Sequence, residues 1–218
     1  MKRFVVIGLG NFGASVGEAL YRHGHDVVAI DHDPNVVERT APKVTRAVVG
    51  DGRQRETLDR LGAADCDAGI ISTGDDITAS ILAILALRDL EVKEIYVKVI
   101  SHDHARIATR MGVTETVFPE REAAINLGTR LSASSVFSYV RLGTGVGIQE
   151  MIIPSEWEGK TLRELQLPTQ YRLSVVAIHD VLRSTMLVPP DPDRVLVQSD
   201  TLLVVGTETN LERVASLM

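Results

Sequence analysis

The stretch Phe4-Val5-Val6-Ile7-Gly8-Leu9-Gly10-Asn11-Phe12-Gly13 carries four apolar residues directly into three glycines spaced G-x-G-x-x-G. An apolar strand, this spacing and a following amphipathic helix together form the context of a dinucleotide fingerprint. Gly8 permits the tight turn, Gly10 lets the main chain approach a phosphate, and Gly13 allows close packing of helix and strand. The helix would present free N–H groups and the positive end of its dipole to an anion.

Asp31 follows the next apolar run, Val27 to Ile30, about twenty residues after the glycines. A carboxylate at the end of a second strand accepts hydrogen bonds from ribose hydroxyls and repels a 2′-phosphate. The sequence therefore predicts a dinucleotide-type site with a ribose contact at Asp31 and disfavours NADP.

Two further loops follow predicted strands on the same edge of the sheet. Asp51, in Gly50-Asp51-Gly52, is either near an adenine or ribose or a cap of the next helix. Thr73-Gly74-Asp75-Asp76 lies where the winding should reverse, which is where ligands bind in open α/β sheets. Either of its aspartates could equally cap the following helix.

The order of apolar runs and amphipathic stretches predicts an α/β fold with a Rossmann-like, doubly wound parallel sheet. The predicted strands are Phe4 to Ile7, Val27 to Ile30, Ala47 to Val49, Ala68 to Ile71, Ile95 to Val99 and Thr116 to Phe118. A long helix is expected from Glu120 to about Val140. Beyond it, short strands and turns predict a small α+β domain. We expect a nucleotide-binding domain over residues 1–120, a crossover and dimerisation helix over 121–141, and the second domain over 142–218.

Composition excludes several classes of protein. The chain is 44% hydrophobic and 24% charged, as in ordinary globular proteins, and its formal net charge is −6. A surplus of carboxylates gives no basic surface for nucleic acid, so no nucleic-acid partner is expected. The single cysteine, Cys66, fits a reducing compartment, and the apolar runs are too short to span a bilayer. We expect a cytoplasmic protein that reaches a membrane through a partner.

Outside the glycine turn and the loops that follow the strands, the sequence offers little support for other functional residues. His102 and His104 are two residues apart, so their side chains diverge on a helix, and we expect solvent-exposed histidines rather than metal ligands. Trp157, between two glutamates, is expected to be exposed or to lie at an interface. The sequence presents no supported catalytic set, and an enzyme is not expected.

Several segments together resemble one family, the RCK (regulator of potassium conductance) subunits of the Trk/Ktr potassium uptake systems. In the first half these are Val6 to Gly13, Val28 to Asp31, Val49 to Gly52, Arg110 to Val113 and Phe118 to Glu120. In the second half, Trp157 to Leu165, Val175 to Ile178 and Asp200 to Gly206 resemble a TrkA-C, or RCK-C, domain.

The resemblance implies a regulator that gates a K⁺ transporter or channel by rearrangement of a homo-octameric ring of RCK subunits assembled from dimers. Its partner would be an integral-membrane, TrkH/KtrB-like K⁺-translocating subunit, with the ring peripheral to the inner face of the membrane. The first domain would bind ADP, ATP or NAD(H), and the second would take another ligand, cyclic di-AMP in some members. The implied nucleotide-binding residues are Gly8, Gly10, Asn11, Phe12, Gly13, Asp31, His32, Asp51, Gly52, Thr73, Gly74 and Asp75.

The resemblance also implies that Glu120 helps to hold a divalent or monovalent cation near the nucleotide phosphates at a dimer interface. Two residues depart from the family pattern. Asn11 replaces an arginine that can reach the terminal phosphate, and Arg53 replaces a small residue. The other readings of the chain are an NAD-dependent oxidoreductase and a free-standing NAD(H) redox sensor.

Overall fold

The computed structural model describes residues 1–132, 136–142 and 145–215, and the chain divides into two compact units. The first unit is Met1–Glu120 and the second is Arg121–Met218. Each unit has hydrophobic clusters of its own, so each is described by itself.

The first unit contains a six-stranded sheet with the order β3-β2-β1-β4-β5-β6, in which every pair of neighbours is parallel. Its strands are β1 Arg3–Ile7, β2 Asp26–Asp31, β3 Arg46–Val49, β4 Ala68–Ile71, β5 Glu94–Lys98 and β6 Glu115–Val117. The winding reverses between β1 and β4. This confirms the predicted Rossmann-like, doubly wound sheet, a fold in which ligands bind at the carboxyl ends of the strands where the winding reverses.

Helices cover both faces of this sheet, which explains why its strands are continuous apolar runs. The covering helices are α1 Asn11–Arg22, α2 Pro34–Thr40, α3 Arg55–Arg60, α4 Ile77–Asp89 and α5 His102–Arg110. Helix α6, Pro119–Ser132, follows β6 and belongs mostly to the second unit. On one face, Leu58 of α3 and Leu87 of α4 share a cluster with Val5. On the other face, Val6 clusters with Val37 of α2. Neighbouring residues of one strand thus serve opposite layers.

The second unit contains a five-stranded antiparallel sheet with the order β10-β9-β11-β8-β7. Its strands are β7 Val136–Leu142, β8 Val146–Ile152, β9 Ser174–Asp180, β10 Thr185–Leu187 and β11 Asp200–Thr207, and its helices are α7 Leu162–Leu165, α8 Leu167–Gln170 and α9 Glu208–Ala215. This confirms the small α+β domain. The sequence also predicts a short helix from Asn210 to Leu217; helix α9 begins at Glu208, and the end of the predicted range lies outside the described residues.

The prediction of one helix from Glu120 to about Val140 is wrong in its last part. Helix α6 ends at Ser132, and Val136–Leu142 is strand β7, paired with β8. The segment 136–140 is rich in β-branched and aromatic residues, which favour strands. Pairing with a neighbouring strand here outweighs the weak helical spacing that motivated the prediction.

The prediction for Trp157 is also wrong, because this side chain is only 3% exposed. Its ring lies 5.5 Å from that of Tyr171, measured between centroids, and it belongs to the core of the second unit together with Leu196. The flanking glutamates suggested a surface, but a short 3₁₀ turn, Ser155–Trp157, directs the indole inward.

Within the described part of the chain, no helix combines the length and the apolarity needed to cross a bilayer.

Candidate functional site

A cleft of about 510 Å³ lies at the carboxyl ends of the central strands of the first unit. The loops that follow β1, β2, β3 and β4 form its walls. Its lining residues are Ile7, Gly8, Gly10, Ile30, Asp31, His32, Asp33, Val36, Gly50, Asp51, Gly52, Arg53, Ser72, Thr73, Gly74, Asp76 and Ala79.

Two glycines let the turn after β1 pack against the turn after β4. Gly8 has a φ of +89°, and a Cβ added there would lie 2.1 Å from the main-chain oxygen of Ser72. A Cβ at Gly13 would lie 1.9 Å from the main-chain oxygen of Gly8. Neither distance is compatible with a side chain, so both glycines are required by the fold of this turn.

Gly10 is different, because an added Cβ would meet no atom within 4 Å. Its φ of −61° and ψ of −177° suit any residue, and it is the N-cap of α1. A glycine cannot cap with a side chain, and the first turn of α1 has no acidic residue. No side chain of the N-cap residue therefore accepts a hydrogen bond from the first main-chain N–H groups of α1, which leaves this helix terminus suited to an anion.

Asp31 connects the glycine turn to the loop after β2. Its Oδ2 accepts a hydrogen bond of 2.6 Å from the main-chain N–H of Leu9, and its Oδ1 accepts one of 2.9 Å from that of Asp33. The side chain is 10% exposed, and the ring of His32 approaches Oδ1 at 3.2 Å. A carboxylate oxygen can accept two hydrogen bonds, so Oδ2 keeps capacity for a ribose hydroxyl.

At the end of β3, Asp51 forms a two-bond ion pair with Arg53. The guanidinium donates from Nε to Oδ1 and from Nη2 to Oδ2, both at 2.8 Å. These hydrogen bonds hold the pKa of the Asp51 carboxyl below its ordinary value. Gly52 is needed for packing, since a Cβ there would lie 2.4 Å from Cγ2 of Ile7.

At the end of β4, the loop is fixed by a helix cap. Asp76 accepts a 2.8 Å hydrogen bond from the main-chain N–H of Ala79 and is the N-cap of α4. Thr73 donates from Oγ1 to the main-chain oxygen of Asp76 at 3.1 Å, and Gly74 has a φ of +63°. Of the two aspartates considered from sequence, the structure assigns the cap to Asp76.

The structure brings most of the predicted nucleotide-binding residues into this cleft. Those in the lining are Gly8, Gly10, Asp31, His32, Asp51, Gly52, Thr73 and Gly74; those outside it are Asn11, Phe12, Gly13 and Asp75. Gly13 acts through the turn, and Asn11 is exposed. Ser72 and Asp33 also line the cleft but are not among the residues predicted from the sequence. Their positions directly after β4 and β2 were the available signal.

Phe12 lines a second cleft, of about 370 Å³, on the face of the sheet between α1 and strands β4 to β6. Its walls are mainly apolar, with charged side chains among them: Lys2, Phe4, Phe12, Val16, Leu20, Ile70, Glu94, Tyr96, Val97, Lys98 and Val117.

Glu120, the predicted cation ligand, forms an ion pair with Lys98. The hydrogen bond from Lys98 holds the pKa of the Glu120 carboxyl below its ordinary value. Among the residues that the structure describes, no three His, Cys, Asp or Glu side chains cluster as a metal site would require. The arrangement thus does not fit a metal site within one chain. Cation binding by Glu120 stays a prediction, and a cation would have to displace an ammonium group.

The expectation of exposed histidines is wrong for His104, which is 1% exposed. Its Nε2 lies 3.0 Å from Oγ of Ser80, so the pair joins α5 to α4. Burial lowers the pKa of this imidazole. The spacing of His102 and His104 within α5 does not indicate this burial, because the burial depends on packing against α4, a different helix.

Models of two domain families match this chain. The TrkA-N domain model matches residues 4–119, and the TrkA-C domain model matches residues 148–218. The chain is 34% identical to the Ktr system potassium uptake protein C of Bacillus subtilis over 97% of its own length and 95% of the relative.

Solved structures share the fold. The GsuK channel bound to NAD superposes with a TM-score of 0.55 at 21% identity, over 100% of this chain and 39% of that one. The chain therefore spans well under half of that channel polypeptide. The Shewanella denitrificans Kef C-terminal domain in AMP-bound form superposes with a TM-score of 0.52 at 25% identity, over 60% of this chain and 79% of that domain.

Proposed function

We propose, on the premise that the chain belongs to the family of TrkA-N and TrkA-C domain proteins, that it is the regulatory RCK subunit of a Ktr/Trk-type potassium uptake system. In this proposal it binds an adenine nucleotide in the cleft of its first unit. The bound nucleotide controls K⁺ flow through an integral-membrane partner on whose cytoplasmic side the protein sits. The protein acts by binding and is not an enzyme.

The observation that carries the proposal is the joint geometry of Gly10 and Asp31. An open helix terminus without a side-chain cap lies beside a carboxylate that is anchored to the same turn. The first suits phosphate groups and the second suits the hydroxyls of a ribose. The AMP-bound Kef domain, at 25% identity, supports an adenine nucleotide as the ligand class.

To control a partner, the nucleotide must bind two conformations of the assembly with different affinities. Only a difference in affinity changes the populations of the two conformations. Two surfaces favour the proposed contacts between subunits: the second cleft and the outer side of α4. Leu82 and Leu85 of α4 are 39% and 46% exposed, and α4 is apolar around most of its circumference. Such a helix favours a second covering layer, as in the ring of dimers that the resemblance implies.

The test is calorimetric titration of the purified chain with ADP, ATP, NAD⁺ and NADH, followed by K⁺ flux in proteoliposomes that contain a Ktr-type membrane subunit. We expect saturable binding of at least one nucleotide and a flux that changes with that nucleotide only when the chain is present.

The variant Asp31→Ala should weaken binding about tenfold through loss of charge-assisted hydrogen bonds to the ribose. Asp59→Ala is the matched control, since this carboxylate lies on α3 outside the cleft. Absence of binding by all four nucleotides would remove the proposed mechanism. Binding without any effect on flux would remove the assignment to potassium uptake and leave a nucleotide receptor.

A further inference from the structure

The corner of the cleft at the end of β3 is where the base of a bound nucleotide should lie. This step depends on the proposed function, which puts the phosphates at Gly10 and the ribose at Asp31. The strand order β3-β2-β1-β4 puts β3 on the far side of β2 from β1. A base attached to that ribose, extending away from the phosphates, therefore approaches Asp51 and Arg53, which line this part of the cleft.

Asp51 has no acceptor capacity left for a ligand. Its Oδ1 accepts from the main-chain N–H of Arg53 at 3.0 Å and from Nε of the same residue at 2.8 Å. Its Oδ2 accepts from Nη2 of Arg53 at 2.8 Å and from Nε2 of Gln54 at 3.3 Å. An ionised carboxylate offers about four acceptor positions. All of them are filled, so the exocyclic amino group of an adenine would find no partner there.

Arg53, in contrast, keeps donors free for a ligand. A guanidinium has five N–H donors. Two are used on Asp51, and the side chain is 50% exposed. The pair with Asp51 fixes the plane of the group. Asp76, across the cleft, contributes a further attraction to its positive charge. This corner of the cleft therefore offers hydrogen-bond donors.

Among the described residues that line the cleft, Arg53 carries the single Lys or Arg charge, beside four carboxylates. The carboxylates are Asp31, Asp33, Asp51 and Asp76. Without the Arg53 side chain, Asp51 would regain one acceptor position on each oxygen and could accept a hydrogen bond from an amino group. The Arg53 side chain thus makes this corner of the cleft a hydrogen-bond donor where Asp51 alone would make it an acceptor.

We propose that Arg53 determines base specificity by masking Asp51, so that the cleft recognises a purine through an acceptor edge and does not require a 6-amino group. The ligand class then includes 6-oxopurine nucleotides. An arginine fork on the O6 and N7 acceptors of a purine is the commonest specific contact between this side chain and a base.

The test compares ADP with inosine diphosphate, whose base carries a 6-oxo group and an N1–H in place of the 6-amino group and the N1 acceptor, by calorimetric titration of the full chain. We expect the wild-type chain to bind inosine diphosphate at least as tightly as ADP. Arg53→Ala removes the two guanidinium hydrogen bonds from Asp51 and should shift the affinity ratio about tenfold toward ADP, the change expected for one hydrogen bond to a charged group. Arg55→Ala is the matched control, because this arginine begins α3 outside the lining and should leave the ratio unchanged.

Two results would overturn the inference while the proposed function stands. The first is a wild-type preference for ADP of tenfold or more. The second is an affinity ratio of ADP to inosine diphosphate that Arg53→Ala does not change. If that variant also loses more affinity for ADP than for AMP, Arg53 is a phosphate ligand. If neither diphosphate binds the folded wild-type chain, the nucleotide site itself is refuted.

Discussion

The two clefts of the first unit lie on the same sheet and are built in opposite ways. The cleft at the carboxyl ends of the strands is formed by main chain, glycines and carboxylates. The cleft on the sheet face is formed mainly by apolar and aromatic side chains. Helix α1 begins between them, so that Gly10 serves the first cleft and Phe12, two residues later, serves the second. The first cleft thus exposes main-chain groups that a small polar ligand can reach, whereas the second exposes mainly apolar side chains.

Gly8→Ala should have the largest effect on stability and on nucleotide binding, because the added methyl group disrupts the packing of the glycine turn. The new Cβ would lie 2.1 Å from a main-chain oxygen at a φ of +89°. We expect a loss of roughly 2–4 kcal/mol in the free energy of unfolding and at least about hundredfold weaker nucleotide binding. Urea denaturation and calorimetry measure the two effects.

Gly24→Ala provides the control for Gly8. Gly24 has a similar φ of +80°, but an added Cβ would meet nothing within 4 Å. Only the backbone strain remains, so we expect a loss of about 1 kcal/mol and unchanged binding. Equal losses in the two variants would show that close packing is not what requires Gly8.

Gly10→Leu should separate binding from folding. The backbone of Gly10 suits any residue, and the space around it is open, so we expect a stability change below about 1 kcal/mol. The leucine side chain would occupy the position of the phosphates and reduce nucleotide affinity by at least about tenfold. Calorimetry on the folded variant checks this. Retained affinity would place the phosphates somewhere other than at the start of α1.

Phe12→Asp should affect the second cleft alone. A carboxylate in an apolar contact is unfavourable, and we expect self-association to weaken about tenfold. Nucleotide affinity should stay within about twofold of wild type. Ser15→Asp, on the exposed side of the same helix, is the control. Sedimentation equilibrium measures association, and a variant that associates normally would contradict a subunit contact at this cleft.

Much of the first unit could be predicted because its signals are local. Each strand is a short apolar run that ends in a polar loop, and parallel strands bring their carboxyl ends to one edge. For this reason Gly8, Asp31, Asp51 and Thr73, which are distant in the sequence, could be placed in one cleft before any contact was known.

The features that could not be predicted depend on contacts between segments that the spacing of residues along the sequence does not reveal. Strand β7 exists because β8 lies beside it, and His104 is buried because α4 covers it. The same is true of Arg53. Its departure from the family pattern was visible in the sequence, but its two-bond pair with Asp51 is a property of the folded loop.

A crystal structure of the protein grown with ADP tests the central claim most directly. The account predicts electron density for the diphosphate against the main-chain N–H groups at Gly10, with the ribose hydroxyls within hydrogen-bond distance of the Asp31 carboxylate. Density for ADP at another place on the chain, or an empty cleft at saturating ADP, would contradict it.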